Sequence, residues 1–187
     1  MILPIVRYGQ SILRQVAKPI DKDYPELDKL IADMYETMYA ANGVGLAAPQ
    51  IDLPIAIFVI DADVFSEAYP EAKGFKQVFI NPEIIEESGE EWYFNEGCLS
   101  LPDIHEDVKR HSVIKIHYFD ENFVEHTEVL SGVKARVVQH EYDHLQGKVF
   151  VERLSNLRRS FLKRKLNDIM DGKLTPDYKM KSINRKK

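Results

Sequence analysis

The sequence predicts an α+β fold: a single compact domain, mostly antiparallel sheet packed around one central metal-binding helix, with a further helix near the C-terminus. Three observations carry this reading. Residues 24–41 place apolar side chains at the helical period. Residues 113–119 and 123–130 flank a short polar link as two strands of a hairpin would. Residues 131–146 then return to a helical period, and their apolar stripe carries two histidines four residues apart.

In chain order, the first helix presents Leu27, Leu30, Ile31, Met34, Tyr35 and Met38 on one face, with Pro25 suited to its first turn and Asn42-Gly43 as its stop. IAIFVI at 55–60 is the longest continuous apolar run and reads as a buried strand. Residues 61–76 read as a long surface excursion. QVFI and PEIIEES follow as short strands. VIKIHYF and FVEHTEVL form the hairpin across Asp120-Glu121-Asn122. Val133, Val137, His140 and His144 share one helical stripe. Ser155 caps a last helix whose apolar stripe is Leu157, Phe161, Leu162, Leu166 and Ile169. The expected organisation is one catalytic domain over 1–170, its last helix at about 155–170, followed by a basic, flexible tail over 171–187.

Composition narrows the function classes. With 187 residues, 44% hydrophobic and 29% charged, the chain suits one globular domain with a real core. No apolar run approaches the eighteen residues of a spanning helix, and the N-terminus lacks a signal-peptide pattern. A single cysteine, Cys98, excludes an internal disulfide and suits a reducing cytoplasm. The net charge of −5 hides an asymmetry: residues 1–147 carry −14 and residues 148–187 carry +9. Neither a membrane nor DNA is expected as a partner. The basic end could serve as a handle for an anionic surface such as RNA.

The chemistry concentrates at QHEYDHLQG, residues 139–147. A histidine on an apolar face is more often a hydrogen-bonded core residue than a ligand. Two of them a turn apart, with Glu141 between, form H-E-x-x-H, and burying that set is costly unless a cation pairs with it. A catalytic metal needs a third protein ligand and an open position. Downstream, Phe150 stands where a third histidine would, SFLKRKL has no carboxylate, and no His or Cys follows His144. The third ligand therefore lies upstream. Cys98, in EGCLS, completes a Cys-His-His set, and Gly97 lets the backbone bend toward it. His117 and His126 sit among charged residues in the hairpin and suit a solvated face; His105 and His111 could only support the site from behind. The donor set suits Zn²⁺, Fe²⁺, Co²⁺ or Ni²⁺.

A third stretch, GVGLAAPQ at 43–50, could be read as a phosphate loop but lacks the Gly-Lys-Ser/Thr ending. Taken with EGCLS and QHEYDH it resembles peptide deformylase, a family with the motifs G-x-G-x-A-A-x-Q, E-G-C-L-S and Q-H-E-x-D-H in this order. The resemblance spans nearly the whole chain. It implies a hydrolase that removes the formyl group from N-formylmethionine of nascent chains and releases formate. It implies Cys98, His140 and His144 as metal ligands, with Fe²⁺ the working ion, and Glu141 as the acid–base group. It implies that Gln50 and the Leu99 N–H meet the reacting oxygen, and that Val44 and Gly45 offer backbone groups to an extended peptide. Phe94, Val133 and Val137 are the expected walls of the methionine pocket. Two departures stand out. Residues 61–77 are longer than in compact members, and His105 occupies a position where many members have an arginine. Asp143 is expected to pair with a base such as Arg110.

Two rival readings remain at this point. A zinc endopeptidase lacks its downstream ligand here, and a structural metal site in an RNA-binding module should have a fourth protein ligand. The basic face of the last helix (Arg158, Arg159, Lys163, Arg164, Lys165) is either a solvated surface or a dock for ribosomal RNA.

Overall fold

The structure is a computed structural model and describes residues 1–182. Five strands form one antiparallel sheet in sequence order: β1 (Gly45–Ala47), β2 (Ile57–Asp61), β3 (Lys76–Cys98), β4 (Leu101–Phe119) and β5 (Glu125–Ser131). Three helices accompany it: α1 (Leu27–Ala40), α2 (Gly132–Leu145) and α3 (Asn156–Met170). The α+β expectation is met, with α2 as the inner helix. Among the described residues no helix is long and apolar enough to cross a membrane.

Strand β2 shows why the sheet lies between two helices. Phe58 and Ile60 point into a core shared with Val133, Val137 and Val138 of α2. Ile57 and Val59 point the other way, into a core shared with Ile31, Met34 and Met38 of α1. A strand covered on both faces has no solvent side, so its sequence is continuously apolar.

Helix α1 starts later than the apolar period suggests. Pro25 lies outside it, and the residue before Leu27, Glu26, is left-handed at φ 53°. The stop is as expected: Asn42 is left-handed at φ 55°, and the Gly43 N–H donates to the Met38 carbonyl at 2.9 Å. The two short strands expected at 77–88 are one strand of 23 residues. Register shifts between Ile80 and Glu83, Ile84 and Glu86, and Ser88 and Glu91 interrupt its alternation, which is why the sequence reads as pieces. The excursion at 61–76 is not purely surface. It makes two short 3₁₀ turns, puts Phe65 and Tyr69 against Phe94, and sends Glu71 Oε1 to the Val133 N–H at the start of α2, 3.4 Å away.

Part of the segment expected as a tail, residues 174–181, bonds to the N-terminal residues. Ile5 N–H donates to the Lys179 carbonyl at 2.9 Å, Lys181 N–H donates to the Ile5 carbonyl at 2.7 Å, and Arg7 holds the Leu174 carbonyl at 2.9 Å. Those bonds fix the segment against the N-terminal strand-like residues. Positions 183–187 of the expected tail lie outside the described residues. Helix α3 has its predicted cap, since Ser155 Oγ accepts from the Arg158 N–H at 3.1 Å. Its stripe is only half used: Leu166 and Ile169 are buried, but Leu157 and Phe161 are 68% and 69% exposed.

Candidate metal centre

Helix α2 delivers His140 and His144 from one face, and the end of β3 delivers Cys98 from across it. One ligand atom from each of the three residues lies within 4.8 Å of the others. Cys98 Sγ is 3.3 Å from His144 Nε2. His140 Nδ1 is taken by Glu96 Oε2 at 2.8 Å, which leaves its other ring nitrogen as the ligand atom. Helix α2 ends at Leu145, and Gly147 just beyond it is left-handed at φ 69°, where a side chain would run into the Arg14 backbone.

A network of buried charge stands behind the histidines. Glu96 accepts from Arg110 at 2.7 and 2.9 Å and from Arg136 at 2.9 Å. Arg110 also donates to Asp143 Oδ2 at 2.7 Å, and Arg153 brackets the same carboxylate at 2.6 Å. The expected Asp143–Arg110 pair is present, and Asp143 points away from the ligand cluster. Burial pushes the Glu96 carboxyl up, but Arg110 and His140 outweigh it and hold it well below the ordinary range. Sequence reasoning missed Glu96 as a site residue. Its signal was available: a ligating imidazole needs a partner for its second nitrogen, and Glu96 opens EGCLS.

The donor set fits a divalent metal. Burial alone would raise the Cys98 thiol, but His144 and His140 bring it down to about 5, so a thiolate is favoured. Burial pushes Glu141 up to about 7, against the pull of His140 and His144. Two buried polar atoms, Glu141 Oε2 and His144 Nδ1, have no hydrogen-bond partner among the described residues. An orphaned carboxylate oxygen next to a Cys-His-His cluster marks a place where an ion and its water would complete the bonding. Gly45 backs Glu141 so closely that a Cβ there would overlap the carboxylate.

The cleft over this cluster measures about 490 Å³. It is lined by Val44, Gly45, Gln50, Phe94, Cys98, Leu99, Val137, His140 and Glu141 among the expected residues. Val133 is not brought there: it is fully buried in the core between α2 and the sheet. Phe65, Arg136, Pro176 and Tyr178 line the cleft and were not anticipated. His105 is exposed at the rim, its ring stacked over Gly97. His111, His117 and His126 bond to the Gly89 carbonyl, Glu125 and Asp120 respectively, on the strands away from the cluster. Gln50 is buried, with Oε1 accepting from the Ala47 N–H at 2.9 Å and Nε2 turned to Cys98 Sγ at 3.5 Å and Ser100 Oγ at 3.3 Å.

Comparison with known proteins bears directly on this arrangement. Residues 2–160 match the family described as Polypeptide deformylase. The chain belongs to that family. The peptide deformylase of Flavobacterium psychrophilum is 53% identical over 194 residues, covering 100% of this chain and 100% of that protein. That of Christiangramia forsetii is also 53% identical, covering 100% of this chain and 99% of its own. Among solved structures, a Plasmodium falciparum peptide deformylase is similar at TM-score 0.80 and 33% identity over 90% of this chain and 95% of that one. One from Legionella pneumophila is similar at TM-score 0.79 and 37% identity over 92% and 98%. This deformylase is therefore an enzyme of N-terminal processing, acting on the formyl group of nascent peptides.

Proposed function

We propose that deformylation here depends on one divalent metal held by Cys98, His140 and His144, with Glu141 as the acid–base group. The observation that supports this is the cluster itself: three ligand atoms within 4.8 Å, beside a buried Glu141 oxygen that has no partner among the described residues. When bound, such an ion acts as a Lewis acid toward water and a carbonyl oxygen. The chain supplies the rest. Glu141, poised near neutrality, takes a proton from the attacking water and returns it to the leaving amine. Gln50 Nε2 and the Leu99 N–H donate to the formyl oxygen as it gains negative charge, each worth about 3 kcal/mol in comparable sites. Formate and a free amino terminus result.

Substrate recognition follows from the sheet. Strand β1 is an edge strand, paired among the described residues only with β2, and its Gly45 lines the cleft together with Val44 just before it. An extended N-formylmethionyl peptide can add to that edge through its backbone, without its later side chains being read. Phe94 and Val137 wall the methionine pocket, with Phe65 beside Phe94. We take Fe²⁺ as the working ion, with Zn²⁺, Ni²⁺ and Co²⁺ able to occupy the same ligands. A ferrous–thiolate site requires a reducing cytoplasm, because Cys98 is itself oxidisable.

The basic face of α3 supports a smaller proposal, docking to ribosomal RNA. Its charge is partly committed already: Arg158 pairs with Glu106 at 2.6 Å and Lys165 holds the Asp103 carbonyl at 2.7 Å. Arg159, Lys163 and Arg164 are exposed cations that would carry it, and ribosome affinity that does not fall with added salt would exclude it.

The central test is formate release from formyl-Met-Ala-Ser by anaerobically purified protein of known metal content. Glu141→Gln should lose about 10²- to 10⁴-fold in kcat while keeping its metal. A variant that keeps its rate, or wild-type activity that survives complete chelation, would overturn the reading.

A further inference from the structure

Two segments near the ends of the described residues meet beside the cleft, and neither belongs to the metal cluster. Residues 5–8 and 174–181 lie together, bridged in parallel at Ile5 and Met180. Each hydrogen-bonds to the backbone of the residues expected to stabilise the reacting oxygen. The Val6 N–H donates to the Gln50 carbonyl at 2.7 Å, and the Tyr8 N–H donates to the Ser100 carbonyl at 2.9 Å. The Tyr178 hydroxyl donates to the Leu99 carbonyl at 2.8 Å, and its side chain lines the cleft together with Pro176.

We infer that the C-terminal strap 174–181 is a positioning element for this reaction and that Tyr178 is its working contact. The inference rests on the deformylase reading given above. Leu99 lies in the turn between β3 and β4, immediately after the ligand Cys98. Turn backbone has no ladder to hold it, so its orientation depends on what else it bonds to. The Leu99 carbonyl and the Leu99 N–H flank one Cα. Fixing the first restricts rotation about that Cα, and so aims the second. A donor aimed in advance at a developing charge needs no reorganisation during the reaction, and that is where its catalytic value lies. Gln50 is held by the same logic. Its backbone is tied to Val6 and its Oε1 to the Ala47 N–H, which turns Nε2 toward Cys98 Sγ and Ser100 Oγ at the cleft. The strap reaches both donors because Ile5 is clamped between the Lys179 carbonyl and the Lys181 N–H.

The test uses the full-length, metal-loaded enzyme with formyl-Met-Ala-Ser. Tyr178→Phe keeps the ring in the cleft and removes only the hydroxyl. The expected result is a kcat lower by about three- to tenfold, the value of one well-placed hydrogen bond. KM should stay within about twofold, and metal content and melting temperature should match wild type. Lys181→Pro removes the N–H that clamps Ile5, and it should lower kcat in the same direction. A Tyr178→Phe enzyme with wild-type kcat would overturn the inference. So would a loss of kcat fully matched by loss of metal, since the hydroxyl would then be merely structural. Wild-type protein that releases no formate would instead sink the deformylase reading, so the two failures are distinguishable.

Discussion

Helices α2 and α3 are nearly equal in length, at 14 and 15 residues, yet the fold treats them in opposite ways. In α2 ten residues are buried, and five of those are polar or charged: Arg136, Gln139, Glu141, Asp143 and His144. In α3 only Leu166 and Ile169 are buried, while two large apolar residues face solvent. Both helices carry an apolar stripe at the right period. The difference is what each packs against. Helix α2 lies across β1, β2 and β4, so even its polar side must find partners inside the protein. Only the C-terminal half of α3 reaches the cluster of Leu101, Ile104, Val108 and Phe150. Burying Arg136 and Asp143 in α2 is tolerable because Glu96, Arg110 and Arg153 pair with them, and the same network holds the His140 ring.

That contrast predicts unequal sensitivity to substitution. The largest effect on stability should come from Arg110→Leu. It removes the one side chain that bridges Glu96 and Asp143, both buried, and leaves two carboxylates short of a cation. Breaking such a buried pair costs about 3–5 kcal/mol. Urea denaturation should show an unfolding free energy lower by that amount. A drop below about 1 kcal/mol would mean that Arg136 and Arg153 can take over the network unaided.

Next in size is Glu96→Gln, which acts on the metal more than on the fold. The amide can still accept from His140 Nδ1, but it no longer carries the charge that makes the imidazole a stronger ligand. Metal affinity measured by competition with a chelator should fall about 10- to 100-fold. Unchanged affinity would show that the carboxylate serves Arg110 and Arg136 and not the ligand.

The same contrast explains what was legible in the sequence. The grouping of Cys98, His140 and His144 could be read because ligand chemistry demands particular residue types, and helical spacing brings two of them together. Glu96 was hidden because its role is defined by a contact across the sheet. Val133 shares the helical stripe of the histidines, but it sits in the first turn of α2, away from His140 and His144 and packed into the core, so stripe membership overstated its reach. Composition did not show the contacts that the 61–76 excursion and the 174–181 segment make. Each is polar overall, and each carries a few aromatic or apolar residues, Phe65 and Tyr69 in one and Tyr178 and Met180 in the other, that anchor it. Those isolated residues were the signal, but a periodic pattern cannot detect an anchor that occurs once.

On α3 the expected effects are smaller. Ser155→Ala removes the cap on the Arg158 N–H and should cost about 1 kcal/mol, read as a lower thermal midpoint with unchanged kcat.

The smallest effect should be that of Phe161→Ser, although it is the most drastic change in side-chain chemistry. Phe161 is 69% exposed, so serine gives up little burial, and serine is only a slightly poorer helix former than phenylalanine or equal to it. Surface changes of this kind fall within about 0.5 kcal/mol. The measurement is the denaturation midpoint at two protein concentrations. A loss above about 1 kcal/mol that grows with protein concentration would break the contrast, because the exposed stripe of α3 would then be covered in solution by a second chain. No shift at either concentration would place the apolar contribution of α3 in its C-terminal half, where Leu166 and Ile169 meet the sheet.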